Sequence, residues 1–422
     1  MKYRTASFYE EFQCIGGVCE DSCCENWEID LDEASLKKYM KQGGAFGKRL
    51  KESTRVKDKQ FILNGIRCPF LNDKNLCDIF IEMGKESLCE TCTNFPRHIE
   101  EFDDLKEISL TMSCPEASRI MLAKKEKMTF VCKEGTDKQY GLKPMQQVKC
   151  FAFWKKGHAN PLDKKLFEVL FDVREYFFCV LQNREEPMAR RAATVLLLAG
   201  EIQKWIDQKQ YDRIREVLKV EQLLETKEQR QMFFQKYSNR ITEKEVWMKQ
   251  ILNMYEGLET IKEEWTQMLS DGMHIMHSGE DMKMMLVAAG LVEESAGEEN
   301  SSFLRNYAIA YQEFLRYYQE QEYEFEHILV YYIFNYFLGA AYDGDAYTKV
   351  KFAVVSFLVI LEMDISVWLR QQKEFLYEDQ VMVAHAYSKE VEHSYNNFES
   401  LQLVLSAHPI LDLEHILIAL FS

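Results

Sequence analysis

The chain has 422 residues, 47% hydrophobic and 28% charged, proportions that exclude a disordered or fibrous protein and place it among ordinary folded ones. At this length two or three domains are expected rather than one core. The formal net charge is −16; residues 1–125 hold 19 Lys and Arg against 22 Asp and Glu, a net of −3, which leaves −13 for residues 126–422. An acidic second half argues against nucleic acid and anionic membrane as partners, and tolerates a lysine-bearing protein partner.

The opening segment, Met1 to Glu10, has no apolar stretch that would serve as a secretory signal, so a cytoplasmic location is expected. The first ~120 residues mix short apolar pieces with Gly, Asn and Pro. A helix is predicted from Leu31 to Gln42: Asp30 and Glu33 resemble a capping box, Leu36, Tyr39 and Met40 share a face, and Gly43-Gly44 follows. Gln60–Leu63 and Glu107–Met112 read as short strands. A polar run across Ala123–Pro144 marks a junction.

Beyond it the texture is helical. Leu166, Leu170, Val173 and Phe177 recur at helical spacing, and 221 residues between Pro187 and Pro409 contain no proline. Helices are predicted near 163–182, 188–207, 209–225, 243–270, 302–320, 323–341, 346–372, 377–396 and 411–421, with an exposed loop over 293–302. The longest apolar runs, Ile328–Ala341 and Phe352–Leu361, are shorter than the roughly 20 residues that cross a bilayer and read as buried helices. The expected fold is mainly α: a cysteine-rich, metal-binding N-terminal domain with little regular structure (1–125), then a large all-α domain that binds substrate or partner (126–422).

Nine of the twelve cysteines lie in the first region, at Cys14, Cys19, Cys23, Cys24, Cys68, Cys77, Cys89, Cys92 and Cys114. In a reducing compartment such density points to metal rather than disulfides. Cys89-x-x-Cys92 places two thiolates on one turn, whereas neighbouring Cys23 and Cys24 do not easily reach one ion, so one of them is structural or serves a second site. Cys68 and Cys114 each precede a proline, which restricts the backbone at the ligand. The count fits one four-ligand site with spare cysteines or nearly fills two. Cys132, Cys150 and Cys179 read as small buried hydrophobes.

These residues carry a resemblance. Phe12-x-Cys14, Gly17-x-Cys19-Glu20-Asp21-x-Cys23-Cys24, Trp27, Arg67-Cys68-Pro69-Phe70-Leu71, Leu76-Cys77, Leu88-Cys89-x-x-Cys92, Phe95-Pro96-Arg97 and Ser113-Cys114-Pro115-Glu116 resemble the CxxCxxCC-type zinc- or iron-chelating domain in the form seen in flagellin lysine-N-methylases. Weaker echoes follow at Glu326–Tyr336 and Glu390–Asn397. The resemblance implies methyl transfer from S-adenosylmethionine to lysine side chains of flagellin, dependent on an iron–sulfur cluster, of 4Fe–4S type, with zinc as the alternative metal.

No strand, glycine-rich turn and helix in succession offers an ordinary nucleotide site, and no Cys-x-x-x-Cys-x-x-Cys is present. An iron without a cysteine ligand would accept the donor's amino and carboxylate groups. Glu390, His393 and Asn397, at i, i+3 and i+7, are predicted on one helical face where a carboxylate, an imidazole and an amide orient a lysine amine; a buried polar network is the competing reading. Arg97 is placed to pair with the donor's carboxylate or to form an ordinary salt bridge. Tyr307, Tyr311, Phe314 and Tyr318 form a stripe better read as core than as a methyl-lysine pocket, and Glu326 and His327 invite the same reading. A zinc-stabilised helical interaction module without catalysis is the alternative function. A simple electron carrier would not need some 300 further helical residues.

Overall fold

The computed structural model describes residues 1–143, 160–224, 232–292 and 300–422. Cys150 lies outside them, as does the loop expected over 293–302 apart from its last three residues, which open a helix.

The first region has more regular structure than its composition suggests. Strand β1 (Lys2–Ala6) is followed by α1 (Glu33–Lys41), α2 (Gly44–Glu52), a ribbon of β2 (Thr54–Arg55) and β3 (Gln60–Phe61), α3 (Asp78–Met83), α4 (Glu90–Asn94), a hairpin of β4 (Arg97–Phe102) and β5 (Leu105–Leu110), α5 (Pro115–Leu122) and β6 (Phe130–Glu134). Four strands form one sheet in the order β4-β5-β1-β6, with β1 parallel to β5 and the other pairs antiparallel. Because β6 completes it, the sheet straddles the boundary expected after residue 125.

Residues 29–92 enclose a small core of their own, built on Ile29, Leu31, Tyr39, Leu50, Phe61 and Phe70. The cap of α1 sits two residues later than the sequence pattern suggested. Asp32, not Asp30, accepts the Ser35 amide at 2.8 Å, and its other oxygen accepts the Glu90 amide at 2.9 Å, so one buried carboxylate caps α1 and holds the start of α4.

The sheet belongs to a second, larger core that it shares with the helices. Every residue of β5 is buried, including Glu107. That carboxylate meets Arg174 at 2.6 Å and Arg4 at 3.5 Å, while Arg4 also reaches Glu175 at 2.7 Å. Arg174 additionally donates to the Phe334 carbonyl at 3.0 Å. Removed from water, these charges persist only because each has partners.

The helical part comprises α6 (Lys164–Leu181), α7 (Met188–Asp207), α8 (Tyr211–Leu224), α9 (Ile241–Glu256), α10 (Glu263–His277), α11 (Gly279–Ala288), α12 (Asn300–Tyr317), α13 (Glu322–Tyr336), α14 (Ala340–Asp343), α15 (Ala346–Arg370), α16 (Tyr377–Glu392), α17 (Tyr395–Ala407) and α18 (Leu413–Phe421). Three predicted helices are each broken in two, the one expected over 323–341 between Tyr336 and Ala340. The one expected over 243–270 stops at Gly257, and the one expected over 377–396 stops at His393, where Ser394 accepts the Asn397 amide at 3.1 Å and starts α17. Helix α15 is long and apolar enough to cross a membrane, yet its apolar window is entirely buried against α7, α10 and α13.

Replacing Glu107 by Gln leaves Arg4 and Arg174 undercompensated in the interior and is expected to cost about 3–5 kcal/mol, read as a lower urea midpoint. Asp172→Asn, which breaks an exposed pair with Arg215, should leave the midpoint in place.

Candidate functional site

The cysteines gather in two places. Cys68 and Cys89 are buried in the small core, and Cys24, Cys77 and Cys92 pack against it. Local structure puts them there. Asn72 accepts the Lys74 and Leu76 amides at 2.9 and 3.1 Å, turning the chain into Cys77, and Asp78, the first residue of α3, is held by Arg49 at 2.6 Å. Cys89 precedes α4, whose start Asp32 anchors, and the Cys68 amide donates to the Cys24 carbonyl at 2.8 Å. The neighbouring Cys89 and burial raise the Cys92 thiol well above the ordinary thiol value. Burial also raises Cys68, and the nearby charge of Cys24 adds to that.

Cys14, Cys19, Cys23 and Cys114 form the other gathering. Three contacts bring residues 19–23 beside residues 112–119. Glu20 pairs with Arg119 at 2.6 Å; Asp21 meets His385 Nε2 at 2.7 Å, and His385 Nδ1 lies 3.2 Å from the Met112 carbonyl. The Trp27 indole donates to the Cys23 carbonyl at 2.6 Å while its ring lies 5.3 Å from that of His393, and His393 Nε2 is 2.5 Å from Ser113 Oγ. Burial pushes the Cys114 thiol up to about 12, with Cys19 and Cys14 contributing. The adjacent Cys23 and Cys24 thiols interact, which raises Cys23 and lowers Cys24. The adjacent pair thus stands at the junction between the two gatherings.

The eleven cysteines among the described residues are free thiols. Among those residues, no three His, Cys, Asp or Glu side chains converge as a single metal ion would require.

The helical face that meets the second gathering is not the predicted one. His385, Lys389 and His393, at i, i+4 and i+8, face residues 19–23 and 111–114. At their centre is Asp21, 6% exposed, with Lys389 Nζ at 2.6 Å, Lys262 Nζ at 2.7 Å and His385 at 2.7 Å. Burial opposes its charge, but the His385 hydrogen bond and the Lys389 charge hold its carboxyl well below the usual range. Burial lowers the Lys389 ammonium, and it lowers His393 to about 3, aided by Lys389 and His385, so His393 is neutral near pH 7. Phe95 lies against the same ring, at 5.6 Å.

Glu390 and Asn397 point elsewhere. The helix break separates them, and both clamp the backbone of residues 259–262. Glu390 accepts the Ile261 and Lys262 amides at 2.8 and 3.2 Å; Asn397 accepts the Glu259 amide at 2.7 Å and donates to its carbonyl at 2.8 Å. Burial raises Glu390 to about 7. Arg97 donates to the Tyr9 hydroxyl at 2.8 Å and sits over the Tyr9 and Phe12 rings; among the described residues it has no carboxylate within ion-pair distance.

Cys132 and Cys179 are exposed, contrary to expectation: β6 and the outer side of α6 turn them to solvent. The tyrosine stripe is core, with Tyr307 donating to the buried Glu362 at 3.1 Å. Glu326 takes Arg184 and Arg191, each at 2.8 Å, and His327 lies between the Met121 and Glu126 carbonyls. Sequence reasoning missed Asp21, Lys262, His385, Lys389 and Ser113 as site residues. The 385/389/393 spacing and an acid set between Cys19 and Cys23 were the available signals.

Asp21→Asn would strand two ammonium groups at this interface and is expected to cost about 3–5 kcal/mol at neutral pH, measured by denaturant unfolding. Because the folded carboxyl titrates below its ordinary value, its contribution is full at neutral pH and is lost as pH falls through the folded value. The gap between variant and parent should therefore close on acidification.

Residues 174–419 match the model of the FliB lysine N-methylase C-terminal domain. The flagellar biosynthetic protein FliU of Salmonella muenchen is 30% identical over 125 residues, 27% of this chain and 74% of that protein. The lysine-N-methylases of Salmonella typhimurium and Salmonella choleraesuis are each 26% identical over 168 residues, 36% of this chain and 42% of theirs. The chain thus spans under half the length of those two lysine-N-methylases. No solved structure shows significant similarity to it. The domain match takes in the helical face that meets Asp21 and Ser113, and it covers more than half of the chain, which belongs to the FliB lysine N-methylase family.

Proposed function

We propose that this chain methylates lysine side chains of a flagellar protein, flagellin by resemblance, using S-adenosylmethionine and an iron–sulfur cluster held by its cysteines, in the cytoplasm. The observation that carries this reading is the meeting of His385, Lys389 and His393, within the methylase-like domain, with the gathering of Cys14, Cys19, Cys23 and Cys114.

The proposed donors are thiolates, the ligand type that iron–sulfur clusters use. Tetrahedral zinc at ~2.3 Å from each sulfur requires four sulfurs within about 3.8 Å of one another, whereas no three ligand side chains among the described residues converge on one ion. In a cubane each thiolate binds a different iron. When bound, such a cluster supplies a metal position for the donor's amino and carboxylate groups.

In the transfer a carbon–sulfur bond of the sulfonium breaks and a carbon–nitrogen bond to lysine Nζ forms. The ammonium first loses a proton. The interface favours that loss by desolvation, as its effect on Lys389 illustrates. His393, titrating near 3, is too weak a base to take the proton from an ammonium near ~10, so the proton leaves to solvent and the neutral imidazole, backed by Ser113, orients the amine. Glu390 has the better-matched value, but its oxygens are engaged by the Ile261 and Lys262 amides; with Asn397 it shapes the wall from behind. Arg97, without a carboxylate partner among the described residues, suits the donor's carboxylate.

Cluster-loaded protein incubated with the donor and flagellin should add methyl masses to flagellin lysines. An unchanged flagellin mass with a fully loaded cluster would sink the activity. His393→Ala is expected to lower kcat roughly 10–100-fold with metal content unchanged. Arg97→Met should instead weaken donor binding about tenfold or more, measured by calorimetry.

A further inference from the structure

We propose that Glu392, Thr111 and Ser113 form a hydrogen-bonded relay that fixes the tautomer of His393, with the hydrogen on Nε2 and the lone pair on Nδ1. Its catalytic consequence rests on the methyl-transfer reading above; its geometry does not.

The relay starts at a buried carboxyl. Glu392, the last residue of α16, is 2% exposed, and its Oε2 receives the Tyr331 hydroxyl at 2.7 Å, the Ser388 hydroxyl at 2.7 Å and the Thr111 hydroxyl at 3.1 Å. Three donors make that oxygen an acceptor whether or not the carboxyl is ionised. Thr111 has a single hydroxyl hydrogen, and it goes to Glu392. Ser113 Oγ, 2.8 Å from Thr111 Oγ1, is therefore the donor of that pair. With its own hydrogen so used, the Ser113 hydroxyl accepts from His393, whose Nε2 lies 2.5 Å away. The hydrogen of a neutral His393 is thus on Nε2, which leaves Nδ1 as the acceptor nitrogen.

The turn that carries the two hydroxyls is held in place. The Met112 amide donates to the Tyr331 hydroxyl at 3.2 Å and the Ser113 amide to Thr111 Oγ1 at 3.3 Å. Thr111 and Ser113 are both buried, so bulk water does not compete for these bonds.

The tautomer matters to the reaction. A neutral lysine amine attacks the sulfonium methyl through its one lone pair, and the electrons of the broken carbon–sulfur bond leave with the thioether. A hydrogen on Nδ1 would bind that lone pair and oppose the attack. An acceptor at Nδ1 takes an amine N–H instead, and that bond strengthens as the nitrogen becomes positive, which favours the transition state over the bound substrate. Glu392, Thr111 and Ser113 act through His393 and are positioning residues, as the carboxylate behind a catalytic histidine is.

The test uses the full chain purified anaerobically with isotope-labelled imidazole nitrogens, the His393 signals being those lost in His393→Gln. Two-bond proton–nitrogen correlation spectra distinguish the tautomers. Wild type should show His393 with hydrogen on Nε2. Thr111→Val, which keeps the shape and removes the hydroxyl, should shift it towards a mixture, and Thr111→Ser should restore it. Methyl transfer should follow the spectra, with kcat about tenfold lower in Thr111→Val, KM unchanged, and recovery in Thr111→Ser. Hydrogen on Nδ1 in wild type, or a His393 signal that Thr111→Val does not move, overturns the relay. A tautomer that shifts without loss of kcat overturns its catalytic role. Should Thr111→Val fail to fold, the wild-type spectrum still decides the tautomer, and Ser113→Ala breaks the relay one step nearer His393. The Nε2 tautomer in a chain that transfers no methyl would sink the activity and leave the relay standing, and transfer by a chain with hydrogen on Nδ1 would do the reverse.

Discussion

A carboxylate taken out of water has to be paired, and Asp21 is the place where that requirement joins the two halves of the molecule. It stands between Cys19 and Cys23, and its partners Lys262, His385 and Lys389 all come from the helical part. The loop carrying those cysteines therefore reaches this arrangement only when the helical domain is docked on it. Helix α5 strengthens the join, since Arg119 binds Glu20 on one side and Glu378 on the other, and Cys114 immediately precedes that helix.

The same logic recurs through the fold. Glu107, Glu326 and Glu362 are each enclosed and each supplied with donors: Arg4 and Arg174, Arg184 and Arg191, Tyr307 and Tyr311. Some of the acidity on both sides of residue 125 thus serves internal pairing rather than solubility or partner attraction alone. Such pairs add less to net stability than they remove alternatives, because a misdocked helix would bury a lone charge.

Segment 259–262 shows how distant residues set local structure. Helix periodicity continues through it, and only Gly257 hints at a stop. The chain leaves the helix because Glu390 and Asn397, about 130 residues away, take up its backbone groups. Lys262 is thereby presented to Asp21. Residues with the composition of a catalytic pair hold the wall of the interface, and the neighbouring face of the same helix meets the cysteines.

Read alone, the sequence determined the helical character of the second half, most helix positions, the strand at 107–110 and the core nature of the tyrosine stripe. Those follow from periodicity, absent proline and spacing, which are local. It did not determine that β6 closes the sheet, that α9 and α10 are separate, that Cys132 and Cys179 face solvent, or that Asp21 is the hub. Nor did it separate the cysteines. Cys23 and Cys24 are neighbours in the chain, yet the Cys24 carbonyl is taken by the Cys68 amide and the Cys23 carbonyl by Trp27, and such contacts exist only once the whole chain has folded.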